Sequence, residues 1–208
     1  MEIKPTENKN VKEIDDFWDK EFENIVHESK IDDYDRLLSE IFGCSENEIN
    51  IDFDITDDAK SALDKFNDTR WKRLSDKEKL SELNEFVGIV GMDLGMKSIP
   101  TVVIDNELND AYGYYDSQIG KIVISGKYLY NAPETVNTVA HELRHAYQHM
   151  RADICETYED ALYRVNFENY IEPIPLSSGG WLFYFDYYNQ YVEVDARAFA
   201  IIFSEAMK

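Results

Sequence analysis

Cysteine is almost missing from this chain. Its 208 residues include only Cys44 and Cys155, widely separated and outside any paired motif, which excludes both a disulfide framework and a thiolate zinc site. Basic residues are scarce as well: 21 Lys and Arg stand against 42 Asp and Glu, a formal net charge of −21. A surface of that sign repels phosphate, so nucleic acid is excluded as an electrostatically held partner. No apolar run approaches the length of a membrane span. The first twenty residues are polar and charged and lack the apolar stretch of a secretory signal, so the expected location is the cytoplasm, with no membrane partner. What the chain does have is a core: 44% of residues are apolar and 13% aromatic, too many for a chain that never packs. The length suits one domain or two small ones.

The first half reads as helices with acidic outer faces. Residues 11–29 carry Val11, Ile14, Phe17, Trp18, Phe22, Ile25 and Val26 at helical spacing, and residues 34–42 repeat the pattern. Ile49, Ile51, Phe53 and Ile55 alternate with the period of a strand instead. A second helical block covers 57–95, where Ser75 and Glu78 have the form of a capping box opening a helix over 79–92. The second half changes character. Residues 99–104 predict a strand, and 111–115 with 121–125 flank a turn and predict a β-hairpin. Pro133 then opens a long helix through Val136, Val139, Ala140, Leu143, Ala146 and Met150. Another helix is expected over 156–170. The prolines and glycines of 173–180 break the pattern before a final helix over 189–207.

The long helix contains His141-Glu142-Leu143-Arg144-His145, a His-Glu-x-x-His motif. Four residues along a helix turn about 40° past one revolution, so both imidazoles leave one face and can grip one ion. Glu142 stands beside them, where a general base for an activated water belongs. Val139, Ala140 and Ala146 border this stripe, so it does not point wholly to solvent. Two imidazoles and a carboxylate near a core are costly unless something satisfies them.

A catalytic zinc commonly takes three protein ligands at ~2.0 to 2.2 Å and keeps one open position. His149 continues the spacing but lies about 12 Å along the axis from His141, too far to share the ion. His27 is read as an exposed residue of the acidic helix. The final helix offers Glu193 and Asp195, on opposite margins of a buried face made by Val192, Ala196, Phe199, Ala200 and Phe203. Ala196 and Ala200 fall on the Glu193 side, where small residues let two helices approach. The competing reading of Glu193 is a surface ion pair with Arg197.

A His-Glu-x-x-His helix followed some tens of residues later by Glu193-x-x-Ala196, with Phe199-Ala200 beyond, resembles the gluzincin class of zinc metallopeptidases. That class includes the ImmA/IrrE-type peptidases and related prokaryotic and phage enzymes. The resemblance covers roughly 99–208 and extends to nothing in 1–95. It implies an α+β fold with a zincin-like catalytic unit at 96–208, built on a small mixed sheet and an active-site helix; the composition and periodicity of 1–95 make that part an acidic, mainly helical extension, the two packing separately or as one domain. It implies Zn2+ held by His141, His145 and Glu193, with Glu142 as general base in the hydrolysis of a protein or peptide substrate. Arg197 stands where some gluzincins carry an acidic residue, which leaves Asp195 open as a substitute for it or as the ligand itself. Strand addition of substrate is expected on an edge strand, either Gly113 to Tyr115 or 121–125. Tyr187, Tyr188 and Tyr191 are candidate donors to a developing oxyanion. Two other functions fit the same residues: a catalytically silent interaction protein on a zincin scaffold, associated with a phage or toxin, and a zinc hydrolase of non-peptide amides. The negative field, densest in the extension, favours basic substrates or partners.

Overall fold

A computed structural model describes residues 51–109, 111–172 and 187–208. The helices expected over 11–29 and 34–42, with His27 and Cys44, and the break expected over 173–180 lie outside the described residues. In chain order the elements are α1 (Asp57–Leu63), a 3-10 turn (Asp64–Phe66), α2 (Asp68–Trp71), α3 (Asp76–Asp93), β1 (Thr101–Asp105), β2 (Gly113–Asp116), β3 (Lys121–Ser125), a second 3-10 turn (Gly126–Tyr128), α4 (Ala132–Ile154), α5 (Tyr158–Glu168) and α6 (Tyr191–Ala206). The fold is α+β, with one small mixed sheet among the described residues.

Local chemistry explains the helix boundaries. Ser75 and Glu78 form the expected capping box at the start of α3: the Glu78 carboxylate accepts from the Ser75 amide at 2.8 Å and the Ser75 hydroxyl accepts from the Glu78 amide. Thr157 and Asp160 do the same for α5. Asn131 caps α4, whose first turn holds Pro133, where the missing amide proton is not needed. Residues 51–55 depart from expectation. They take no regular secondary structure, although Phe53 packs on Phe199 at 5.1 Å and Phe203 at 5.7 Å between ring centroids. A helix meets the apolar side of this extended segment, so its period of two reports a backbone laid across a core and not a strand in a sheet.

The strand order is β1-β3-β2. β3 runs parallel to β1, from Thr101↔Lys121 to Asp105↔Ser125, and antiparallel to β2, from Gly113↔Ile124 to Asp116↔Lys121. The hairpin turn is built by Asp116, whose carboxylate accepts from the Gln118 and Ile119 amides at 3.0 and 3.2 Å, and by Gly120 at a φ of +63°. β3 is therefore central and paired on both sides, which removes it as an edge for strand addition. β2 is an edge strand among the described residues.

One apolar cluster joins α1, α2 and α3, through Ala59, Phe66, Trp71 and Phe86, to Val102 and Ile122 of the sheet and to Val136, Leu143, Phe199 and Phe203 of α4 and α6. Residues on both sides of position 95 thus share one core. Two polar contacts fix the join. The Asn84 side chain of α3 accepts from the Val102 amide of β1 at 2.9 Å, and the fully buried Trp71 indole donates to the Leu129 carbonyl at 2.8 Å. No described helix is long and apolar enough to cross a membrane. Trp71→Phe keeps an aromatic ring but strands the Leu129 carbonyl, and we expect a loss of about 1–3 kcal/mol in urea unfolding.

Candidate metal centre

α4 and α6 pack along each other more extensively than any other pair of described elements. On α4 the buried stripe is Val136, Val139, Ala140, Leu143 and Ala146, and the two imidazoles of the motif project from its margin. On α6 the buried stripe is Val192, Ala196, Phe199, Ala200 and Phe203, and Glu193 projects from the margin that faces α4. The His141 and His145 side chains are 18% and 12% exposed, and the Glu193 side chain 2%. The carboxylate is thus buried behind two imidazoles that reach open space.

Their donor atoms converge. His141 Nε2 lies 3.0 Å from His145 Nε2, and each is 3.4 Å from one oxygen of Glu193, His141 from Oε2 and His145 from Oε1. Ligands at ~2.0 to 2.2 Å from a tetrahedral ion stand about 3.3 to 3.6 Å apart; each imidazole nitrogen has a Glu193 oxygen at that spacing, a different oxygen for each ring, and one ligand atom from each residue of this triangle lies within 4.8 Å of the others. Two imidazoles and one carboxylate also suit zinc by donor type, whereas magnesium and calcium prefer all-oxygen sites. These three residues are the group among the described residues able to hold a metal ion. The residues present fit the ion.

Electrostatics of the ion-free protein follow from the crowding. Burial works against charge on His145, yet Glu193, Glu142 and Gln148 pull its pKa up to about 9. Burial pushes the Glu193 carboxyl up, but the two imidazoles outweigh it and hold it well below the usual carboxylate range. A proton on His145 therefore occupies part of the role an ion would take. Tyr170, in the turn after α5, donates to Glu193 Oε1 at 2.7 Å, and burial with the Glu193 charge raises its phenol so that it remains a donor.

Asp195 goes elsewhere. Two residues along a helix turn it by about 200°, so with Glu193 at the triangle Asp195 faces the opposite margin. There it accepts from Arg144 Nε at 2.7 Å and Nη2 at 2.9 Å, from Gln148 Nε2 at 2.6 Å and from the Tyr163 hydroxyl at 3.2 Å. Arg197 lays its guanidinium over the Tyr188 ring at 3.5 Å and donates to the Tyr188 carbonyl. Of the three tyrosines named from the sequence, Tyr187 lines the cavity beside the triangle, with Glu193 and Glu142 raising its phenol after burial does. Tyr188 lies under Arg197 and Tyr191 packs near Tyr163. Sequence reasoning missed Tyr170 and Gln148. Gln148 had a readable signal, its position three residues after His145 on the same helix; Tyr170, one of 14 tyrosines, had none.

The triangle opens onto a cavity of about 510 Å³ lined by β2, from Gly113 to Tyr115, and by His141, Glu142, His145 and Glu193, with His149, Phe167, Tyr170 and Tyr187 completing the wall. His149 does not ligate: its ring stacks on Phe167 at 3.9 Å between centroids, and burial, aided by His145, lowers its pKa to about 4. β2 approaches α4 closely because residue 113 is glycine. A Cβ there would sit 2.7 Å from the Val123 carbonyl oxygen and 3.0 Å from Thr138 Cγ2. A larger cavity of about 610 Å³ lies between Lys60, Phe66, Pro133 and Met207 and contains none of these residues.

Two outcomes follow. A zinc ion added to this site would have to displace the His145 proton, so calorimetry near pH 7 in buffers of different ionisation enthalpy should show about one proton released per ion bound. Apparent affinity should rise about tenfold per pH unit toward 9 as that competition fades. Asp195→Ala leaves Arg144 charged, buried and unpaired, and urea unfolding should register a loss of about 3–5 kcal/mol. The chain matches no family model, no curated protein and no solved structure, so the converging donors and their surroundings are the guide to its chemistry.

Proposed function

We propose that this protein is a zinc-dependent peptidase of the zincin-like kind. The observation that carries the reading is the donor triangle: an HExxH pair and a buried carboxylate from a second helix, at separations of 3.0 to 3.4 Å, with a further carboxylate, Glu142, lining the same cavity. His141, His145 and Glu193 hold the ion. When bound, zinc supplies Lewis acidity, acidifying water and polarising a carbonyl.

The chain's own residues do the rest. Glu142 takes the proton of the attacking water and passes it to the departing amine. Tyr170 holds Glu193 in place through its hydroxyl. Of the three tyrosines, Tyr187 in the cavity wall is our candidate donor to a developing oxyanion. The edge of β2 supports a polypeptide substrate. The Tyr112 carbonyl accepts from the Ser125 amide at 2.9 Å, and in an antiparallel pair this alternation turns the N–H and C=O groups of Gly113 and Tyr115 away from β3. Both residues line the cavity, and groups turned away from β3 suit an extended backbone laid beside the strand.

The test is metal analysis joined to one substitution. The purified protein should carry near one equivalent of zinc, and Glu142→Gln should keep the metal while peptide hydrolysis falls by roughly 10²–10⁴. A chain that takes up no zinc, or a Glu142→Gln variant with full activity, would overturn the proposal.

A further inference from the structure

Gln148 is fully buried, and both ends of its amide are committed. Its Nε2 donates to the Val192 carbonyl at 2.9 Å and to Asp195 Oδ2 at 2.6 Å, and its Oε1 lies 2.8 Å from His145 Nδ1. Two acceptors fix which end of the amide is which. Flipping it would press the side-chain oxygen against a carbonyl and a carboxylate, leaving three acceptors without a proton between them. Asp195 cannot turn to relieve that clash, because Arg144 grips it through two nitrogens. The Gln148 oxygen must therefore accept, and His145 Nδ1 must carry the hydrogen. A leucine of similar size would fill this buried site without desolvating an amide, so the amide has an orientation to hold.

We propose that Gln148 is a positioning residue for the metal centre. It accepts a hydrogen bond from His145 Nδ1–H, so leaving Nε2 of the same ring for the ion, and is itself aimed by Asp195 from the neighbouring helix. The role rests on the metal centre proposed above. Its consequence is that the ring reaches the ion in one tautomer and one orientation, a pre-arrangement whose removal typically weakens metal binding by about 10- to 100-fold. The residue two positions after the carboxylate ligand thus acts on a histidine ligand through an intermediate amide and touches neither ion nor substrate.

The experiment measures zinc affinity by chelator competition, and the visible spectrum after cobalt substitution, for the full chain and for Gln148→Met and Gln148→Glu. The methionine variant should bind zinc about 10- to 100-fold more weakly, with a shifted cobalt spectrum. The glutamate variant keeps an acceptor facing His145, its carboxyl sharing a proton with Asp195, and should stay within a few-fold of the parent. Nitrogen-15 NMR of the zinc-loaded parent, which needs no variant to fold, should find the proton of His145 on Nδ1. A ring bound through Nδ1, a folded methionine variant with unchanged affinity and spectrum, or equal losses in both variants would overturn the role while leaving the metal centre standing. A parent chain that binds no zinc would overturn the centre and the role together.

Discussion

The buried pair of Arg144 and Asp195 sets the relation on which the rest of this molecule depends. It joins α4 to α6 by a two-pronged contact at 2.7 and 2.9 Å in a region from which water is largely excluded. A pair of charges in such a place contributes little net stability compared with well-packed apolar groups, but it tolerates very few arrangements. Arg144 sits next to His145 and Asp195 two residues after Glu193, so fixing one pair of side chains fixes the helical register at which carboxylate and imidazoles meet. Arg144 also lies over the rings of Tyr147 and Phe199 at 4.7 and 5.2 Å, which ties the lock to the apolar core on one side and to the polar chain of Tyr163 and Gln148 on the other. Burial works against the guanidinium charge, and Asp195 more than restores it.

Around that lock the fold separates stability from chemistry. α1, α2 and α3 close the core from the side of Phe66, whose ring stands 5.2 Å from Trp71 and 5.8 Å from Phe86, and contribute none of the residues that line the cavity at the candidate site. The polar residues lining the candidate site stand on α4, just after α5, just before α6 and on α6, with β2 as the facing wall. A helix pair held by a buried core is a stiff mount for three donor atoms that must stay within a few tenths of an ångström of their places.

Much of this was legible in the residues. His141, Glu142 and His145 could be read because their spacing and the apolar periodicity around them are both local, and the α3 capping box was readable for the same reason. Glu193 and Asp195 could only be ranked, since both flank the same stripe; which one meets the histidines depends on how α6 is rotated against α4, and that is set by Arg144, a residue whose partner lies 51 positions away. Ile51, Phe53 and Ile55 misled because a period of two marks any extended backbone with one face on a core. Which of β2 and β3 is the edge was out of reach too. Central position follows from the parallel pairing of β3 with β1, which no turn in the sequence announces. Tyr170 acts through a contact across 23 positions with no pattern to declare it.

Gly113 carries a meaning beyond the hairpin. β2 rests against α4 at a point three residues before His141, with only a hydrogen atom between the strand and Thr138. A methyl group there would run first into the Val123 carbonyl of β3 and next into Thr138, so it would strain the pairing of the two strands as well as the contact with the helix. The clearance of the cavity between β2 and the imidazoles therefore depends in part on the one residue of its wall that has no side chain.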